Sequence, residues 1–194
     1  MNRLIKPVVY LVVTLTTLVS LLFVSIIGYS RLTDESLVAA ITFDKQANNT
    51  HVANLIIADH CQPVVYLPIY GDQWRIDARF LKWKSWATLL GMNSQYRLDR
   101  LEGRYSNIIM QNRGPHQAHD LAMENVLDIA QLEGYVDTSA FLVDTEYGSS
   151  VYHEIKVDTR YQVFRSQSGL LVRAVPRQRN EMGVDEPMIG ACED

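Results

Sequence analysis

Twenty-four consecutive residues, 7–30 (PVVYLVVTLTTLVSLLFVSIIGYS), carry no charged side chain. At a rise of about 1.5 Å per residue, the 8–28 portion reaches about 31 Å as a helix, close to the ~30 Å hydrocarbon core of a bilayer. No other window of the chain comes near this, so the run predicts one membrane-spanning helix. Arg3 and Lys6 precede it, while Arg31, Asp34 and Glu35 follow. Positive charge on a short flank stays cytoplasmic. The expected arrangement is therefore a cytoplasmic segment 1–6, a signal-anchor helix 7–30, and a remainder on the periplasmic side of the inner membrane. A cleaved signal peptide would show a shorter apolar stretch and an A-x-A site. Here the run ends in Gly28-Tyr29-Ser30-Arg31, with the Ala39-Ala40 pair well downstream. Tyr10 and Tyr29 sit near the two ends, where amphipathic rings favour the headgroup level. Thr16, Thr17 and Ser20 share one helical face, suited either to a partner helix or to bonds back to their own backbone. One helix encloses no pathway, so the chain alone is neither pump nor carrier.

Residues 32–194 number 163, enough for one domain with a core of its own. Setting aside Arg3, Lys6 and Arg31 leaves 15 basic and 22 acidic residues, a net charge of −7. That excludes general nucleic-acid binding, which needs a basic footprint. No Walker loop, dinucleotide fingerprint or CxxC occurs, so neither nucleotide chemistry nor any cofactor has a motif to point to. The charge is uneven: residues 73–113 sum to +5 and residues 114–158 to −8. Either the two segments face one another in the fold, or a basic surface turns toward anionic headgroups or an acidic partner.

Along the chain, residues 37–44 (LVAAITFD) and 51–59 (HVANLIIAD) read as a strand and its return across the turn-forming QANN. Residues 64–70 are apolar, but Pro68 demotes them to an edge strand. Trp74, Ile76, Ala78 and Phe80 alternate with Arg75, Asp77 and Arg79, the pattern of a half-buried strand. Residues 82–92 suggest a short helix or lid, and 96–105 a further strand whose Arg97 and Asp99 can pair across to Arg75 or Asp77. Gly114-Pro115 predicts the start of a long helix ending at Gly134. Strands follow at 149–155, 161–166 and 170–175, the last two joined across Gln167-Ser168-Gly169. The fold class is α+β: a mainly antiparallel sheet or partly closed barrel with one long and one short helix, spanning 32–175, and a loose tail at 176–194.

Four constellations could carry function. All three tryptophans, Trp74, Trp83 and Trp86, fall within 13 residues and interleave with Lys82 and Lys84. Together with Arg97, Arg100 and Arg104 they form the candidate partner- or lipid-binding surface, because Trp and Lys beside apolar residues suit a membrane interface. The competing reading puts Trp74 and one other tryptophan in the core. His116-x-x-His119-Asp120 would share a helical face and is the metal candidate. HExxH is absent, and a helix amino end disfavours a cation, so a solvated polar turn is preferred. His60-Cys61, and Ser149 or Ser150 with His153, are weaker nucleophile–base pairs that lack the surrounding motifs. Cys61 and Cys192 are the two cysteines, left open between one disulfide and inert thiols.

The phrases GDQWRIDARFLKWK (71–84), YRLDRLEGRY (96–105) and YGSSVYHEIKVDTRYQVFRSQSGLLVRA (147–174) resemble a family of small single-span proteobacterial proteins. Its members sometimes carry the label "cation/multidrug efflux pump". The resemblance runs from the anchor to about Val175 and carries over no functional residue. The transport label does not fit one span, and it is either a bare name or a hint of association with a transporter. The expected function is a non-catalytic, membrane-anchored accessory or interaction subunit of an envelope, transport or efflux assembly. Its partners would be the bilayer and a membrane protein. A lipid- or small-ligand-binding periplasmic module and an anchored metal-dependent hydrolase using His116, His119 and Asp120 are the alternatives.

Overall fold

The computed structural model describes residues 2–47, 49–58, 65–122 and 143–179. An apolar helix, α1 (Asn2–Leu32), leads after three residues into β1 (Ser36–Ala47). One open sheet joins β1 to β2 (Thr50–Ile57), β3 (Val65–Tyr70), β8 (Thr159–Ser166) and β9 (Gly169–Pro176), in the order β3-β2-β1-β8-β9. The second sheet, ordered β6-β5-β4-β7, contains β4 (Gln73–Trp83), β5 (Gln95–Arg104), β6 (Ala118–Asp120) and β7 (Val143–Glu154). Two short helices complete the described residues: α2 (Ser85–Leu89) between β4 and β5, and α3 (Ile108–Arg113) after β5. Every pairing is antiparallel. Two open sheets stand where a partly closed barrel was one of the expectations.

The strand alternation explains the core. Trp74, Ile76 and Phe80 of β4 are fully buried, and the arginines and aspartate between them are not. They pack in one cluster with Ile41, Phe43, Leu55, Tyr161 and Val163 of the other sheet. Phe43, Trp74 and Tyr161 form a triangle with ring centroids 5.2–5.9 Å apart, in tilted and edge-on geometry. The Tyr161 hydroxyl leaves this triangle at its polar rim, donating to Glu154 O (2.5 Å) and accepting from Lys156 N (3.2 Å). Leu81, Trp83 and Ala87 form a separate small cluster under α2.

The sheets also meet at their corners. A Cβ on Gly103 would sit 1.9 Å from Tyr70 O, so only glycine lets β5 pass the end of β3. Gly71, at φ +121°, makes the adjoining turn. At another corner Leu170 N donates to Ser149 Oγ (2.9 Å). Pro68 lies on the edge strand β3, and its carbonyl accepts from His119 Nε2 (2.7 Å) across the gap between sheets.

Two elements depart from the sequence expectations. Residues 115–122 are extended rather than helical, with β6 at Ala118–Asp120 pairing with β5. Gly114-Pro115 is a stop and not a start: Gly114 caps the carboxyl end of α3, and a proline just beyond a helix end prevents continuation. Residues 123–142 of the expected helix lie outside the described residues. The sheet continues to Pro176, the first residue of the expected tail, and the next residue is pinned as well. The Arg177 side chain, 4% exposed, donates to Phe43 O (2.9 Å), Val157 O (3.1 Å) and Asp44 Oδ1 (2.9 Å).

Gly103→Ala should destabilise the domain by about 1–3 kcal/mol or more, because the added methyl meets a backbone carbonyl that cannot rotate away. Gly148→Ala, whose Cβ would meet nothing within 4 Å, should stay within about 0.5 kcal/mol of the parent in the same denaturant titration.

Candidate interaction surface

Antiparallel topology gives the sandwich two distinct ends. β1 begins beside α1 and runs away from it, and β4 returns to that end at Trp83. The helix end therefore holds the α1–β1 joint, α2 and the β8–β9 turn. The far end holds the β1–β2 turn, the β3–β4 turn, α3 and the β7–β8 turn.

The expected binding surface, Trp74 through Arg104, divides among three environments. Trp74 lies at the centre of the inter-sheet core, 0% exposed. Trp83 is buried at the helix end, its Nε1–H donating to Asn93 O (2.9 Å). Two of the three tryptophans are thus core residues, and Trp86 on α2 is the one that reaches the surface, 38% exposed. Lys82 meets Asp144 at 3.4 Å, and Lys84 occupies the N-cap position of α2. Arg97, Arg100 and Arg104 spread along β5, the last next to Gly103, which pairs with Trp74. Arg97 stands opposite Arg79 in the ladder, and the Arg104 guanidinium lies 4.5 Å above the Tyr152 ring.

On the outer face of the second sheet the basic segment spends much of its charge on itself. Arg75 pairs with Glu102 at 2.5 Å, Arg79 with Asp99 at 3.6 Å and Arg100 with Asp77 at 2.7 Å. The strands are neighbours, as expected, but a bulge between Asp77 and Ala78 changes which residues meet. Lys82–Asp144 reaches into the acidic segment. Burial pushes the Asp77 carboxyl up, yet the Ser150 hydroxyl (2.6 Å), the Arg100 guanidinium and the Arg75 charge together hold it below the ordinary carboxylate value. Burial likewise opposes ionisation of Asp44 and Asp72. Hydrogen bonds from Arg177 and Asn54 to the first, and from Ser106 to the second, win and lower both.

His116 and His119 do not converge. His116 Nε2 bonds Gln111 O (2.5 Å), whereas His119 Nε2 donates to Pro68 O, and Asp120 Oδ1 accepts from Ala122 N (2.8 Å). The helix that would have put them on one face is absent, so the three side chains hold loops and edges together. Among the described residues no three His, Cys, Asp or Glu side chains are grouped as a metal ion requires. Ser149 Oγ accepts from Leu170 N and Ser150 Oγ donates to Asp77, while His153 packs its ring 5.2 Å from that of Tyr161. His60, Cys61 and Cys192 lie outside the described residues.

Sequence reasoning missed two features. A cleft of about 520 Å³ at the far end is lined by Lys45, Asn49, His51, Ile155, Lys156 and Asp158, brought together from two distant turns. Also at the far end, α3 exposes Ile108, Ile109 and Met110, the first at 70%. Its signal was available: Asn107 precedes the apolar run and its side chain accepts from Ile109 N (2.8 Å) and Met110 N (3.3 Å), an N-cap.

Asp44, Asp72 and Asp77 bind protons less readily in the folded chain than in the unfolded one. The stability they contribute is therefore complete above the unfolded value of about 3.9 and is lost as pH falls through the lower folded values. Thermal melts should show Asp77→Asn less stable than the parent at neutral pH, the two converging in acid; parallel curves down to the lowest pH would assign Asp77 no such role. No family model matches the chain, and no curated protein or solved structure matches it.

Proposed function

We propose that this chain is a non-catalytic, membrane-anchored interaction subunit. In this reading α1 spans the inner membrane with its amino end in the cytoplasm, and the sandwich stands on the periplasmic side as an accessory to a membrane assembly. The observation that carries it is the short, hydrogen-bonded joint between helix and domain. Thr33 donates both its N–H (3.0 Å) and its hydroxyl (2.8 Å) to Tyr29 O, prolonging the last turn of α1. Two residues later Glu35 is held by Arg173 at 2.6 Å. Ser36 Oγ accepts from Arg165, whose other arm donates to Ser94 O (2.9 Å). Only Thr33, Asp34 and Glu35 stand between α1 and β1.

A short joint of this kind fixes height. β4 has 11 residues, and at about 3.4 Å each it carries the far end some 37 Å from the helix end. There α3 offers Ile108, Ile109 and Met110 to a partner at a set distance from the bilayer. Resemblance to proteins bearing an efflux label supplies the setting, a transport or efflux assembly in which a single span serves as an accessory. A small-ligand-binding module is the second reading, favoured by the far-end cleft, whose volume falls within the ~300–1,000 Å³ of ligand sites.

Crosslinking of tagged full-length protein in its membrane, followed by mass spectrometry, tests the first reading. A membrane partner should be captured by the parent and by Gly148→Ala. Capture should be lost with Ile109→Asp and weakened by a flexible insert of about ten residues after Leu32. The same profile from all four proteins, each folded, would sink the interaction reading.

A further inference from the structure

The short helix α2 touches the outer end of α1. Gly28 is buried, and a Cβ placed on it would lie 3.2 Å from Leu89 Cδ2. A Cβ on Gly91 would lie 4.0 Å from an Arg31 guanidinium nitrogen, so the turn after α2 follows the same helix outward. These contacts set the height of α2. Residues 8–28 fill about 31 Å, the thickness of the hydrocarbon core, which puts Gly28 at its outer boundary. Leu89 lies at that level.

The exposed side chains around this contact are the wrong ones for water. Trp86 is 38% exposed, Leu89 44% and Leu90 78%, three large apolar groups in five residues. Tyr29, one residue beyond Gly28 on α1, is 73% exposed. Tyr and Trp rings are the side chains that settle at the headgroup level, and Arg31 and Lys84 stand where lipid phosphates would be. Gly28 fits this arrangement, since a Cβ there would press on the Leu89 side chain.

We propose that α2 and Leu90 are an interfacial seat, inserting Trp86, Leu89 and Leu90 into the outer headgroup layer of the bilayer that α1 spans. The proposal rests on the anchored reading above and adds a lipid contact to it. The domain is then held at two points, by its helix and by its seat, so it can neither tilt nor swivel freely about α1.

The tryptophan distribution makes the test direct. α1 contains no tryptophan, Trp74 and Trp83 are buried, and Trp86 is the surface reporter. Full-length protein is reconstituted at low protein-to-lipid ratio into phosphatidylcholine–phosphatidylglycerol vesicles containing lipids brominated at shallow or deep acyl positions. The parent should be quenched, more by shallow than by deep bromines. Trp86→Phe should lose most of that quenching, and Leu90→Asp should reduce it while near-ultraviolet circular dichroism stays unchanged. Equal quenching in the parent and Trp86→Phe, with both retained in the membrane at alkaline pH, would overturn the seat and leave the anchor standing. Release of the parent at alkaline pH would overturn both. Shielding that arises only at high protein-to-lipid ratio would put a second copy on α2 and overturn the lipid contact.

Discussion

The contact among Phe43, Trp74 and Tyr161 joins three strands from two sheets, and the position of every surface feature follows from it. Neither sheet is stable alone, because each has one apolar face. The triangle is where the faces meet with the largest side chains. Trp74 brings a cost, since its buried Nε1–H meets no hydrogen-bond acceptor among the described residues. That omission costs about 1–3 kcal/mol. Burying an indole removes roughly 200 Å² or more from water, worth about 5 kcal/mol at 25 cal/mol per Å². Burial therefore wins, and the inclined Tyr161 ring at 5.2 Å gives the indole a packed neighbour in place of an acceptor.

Much of the sandwich was readable because one physical rule governs it. Where a strand has one wet face, period-two alternation marks the buried side, and β4 was read residue by residue on that basis. Pro68 marked an edge because it cannot donate to a ladder, and β3 is an edge. β1 is different: Val38 through Phe43 are all buried, a continuous run that periodicity alone cannot orient. The choice between one curled sheet and two stacked ones depended on contacts distant in sequence, such as Gly103 against Tyr70 and Ser149 against Leu170, which leave no local pattern.

The site was less legible, for reasons that differ by residue. Clustering of tryptophans in sequence suggested one surface, but a strand, a bend and a helix separate their environments, sending Trp74 and Trp83 inward and Trp86 outward. The Gly114-Pro115 pair is ambiguous by nature, since proline suits both the first turn of a helix and the residue after its end. The six residues before it decide the matter, and they were too few to stand out as α3. Arg177 gave no signal at all. Its role, tying the end of β1 to the β7–β8 turn, exists only once β8 has returned alongside β1.

The two exposed apolar clusters now separate by position. Trp86, Leu89 and Leu90 lie against the outer end of an apolar helix, whereas Ile108, Ile109 and Met110 lie at the opposite end of strands that run about 37 Å. If α1 spans a bilayer, one flat bilayer does not reach both clusters, since only three residues join α1 to β1. With α1 in the bilayer, as proposed, lipid accounts for the first cluster by its proximity to that helix. In the same proposed reading the second cluster needs a cover that stands as tall as the domain itself, which suits a protein better than lipid. A soft tether would let α3 dip to the membrane and remove that distinction; the ion pair at Glu35 and the bonds at Ser36 and Thr33 keep it. In the proposed reading, the bonds at these three residues are what keeps the two ends of the molecule facing different partners.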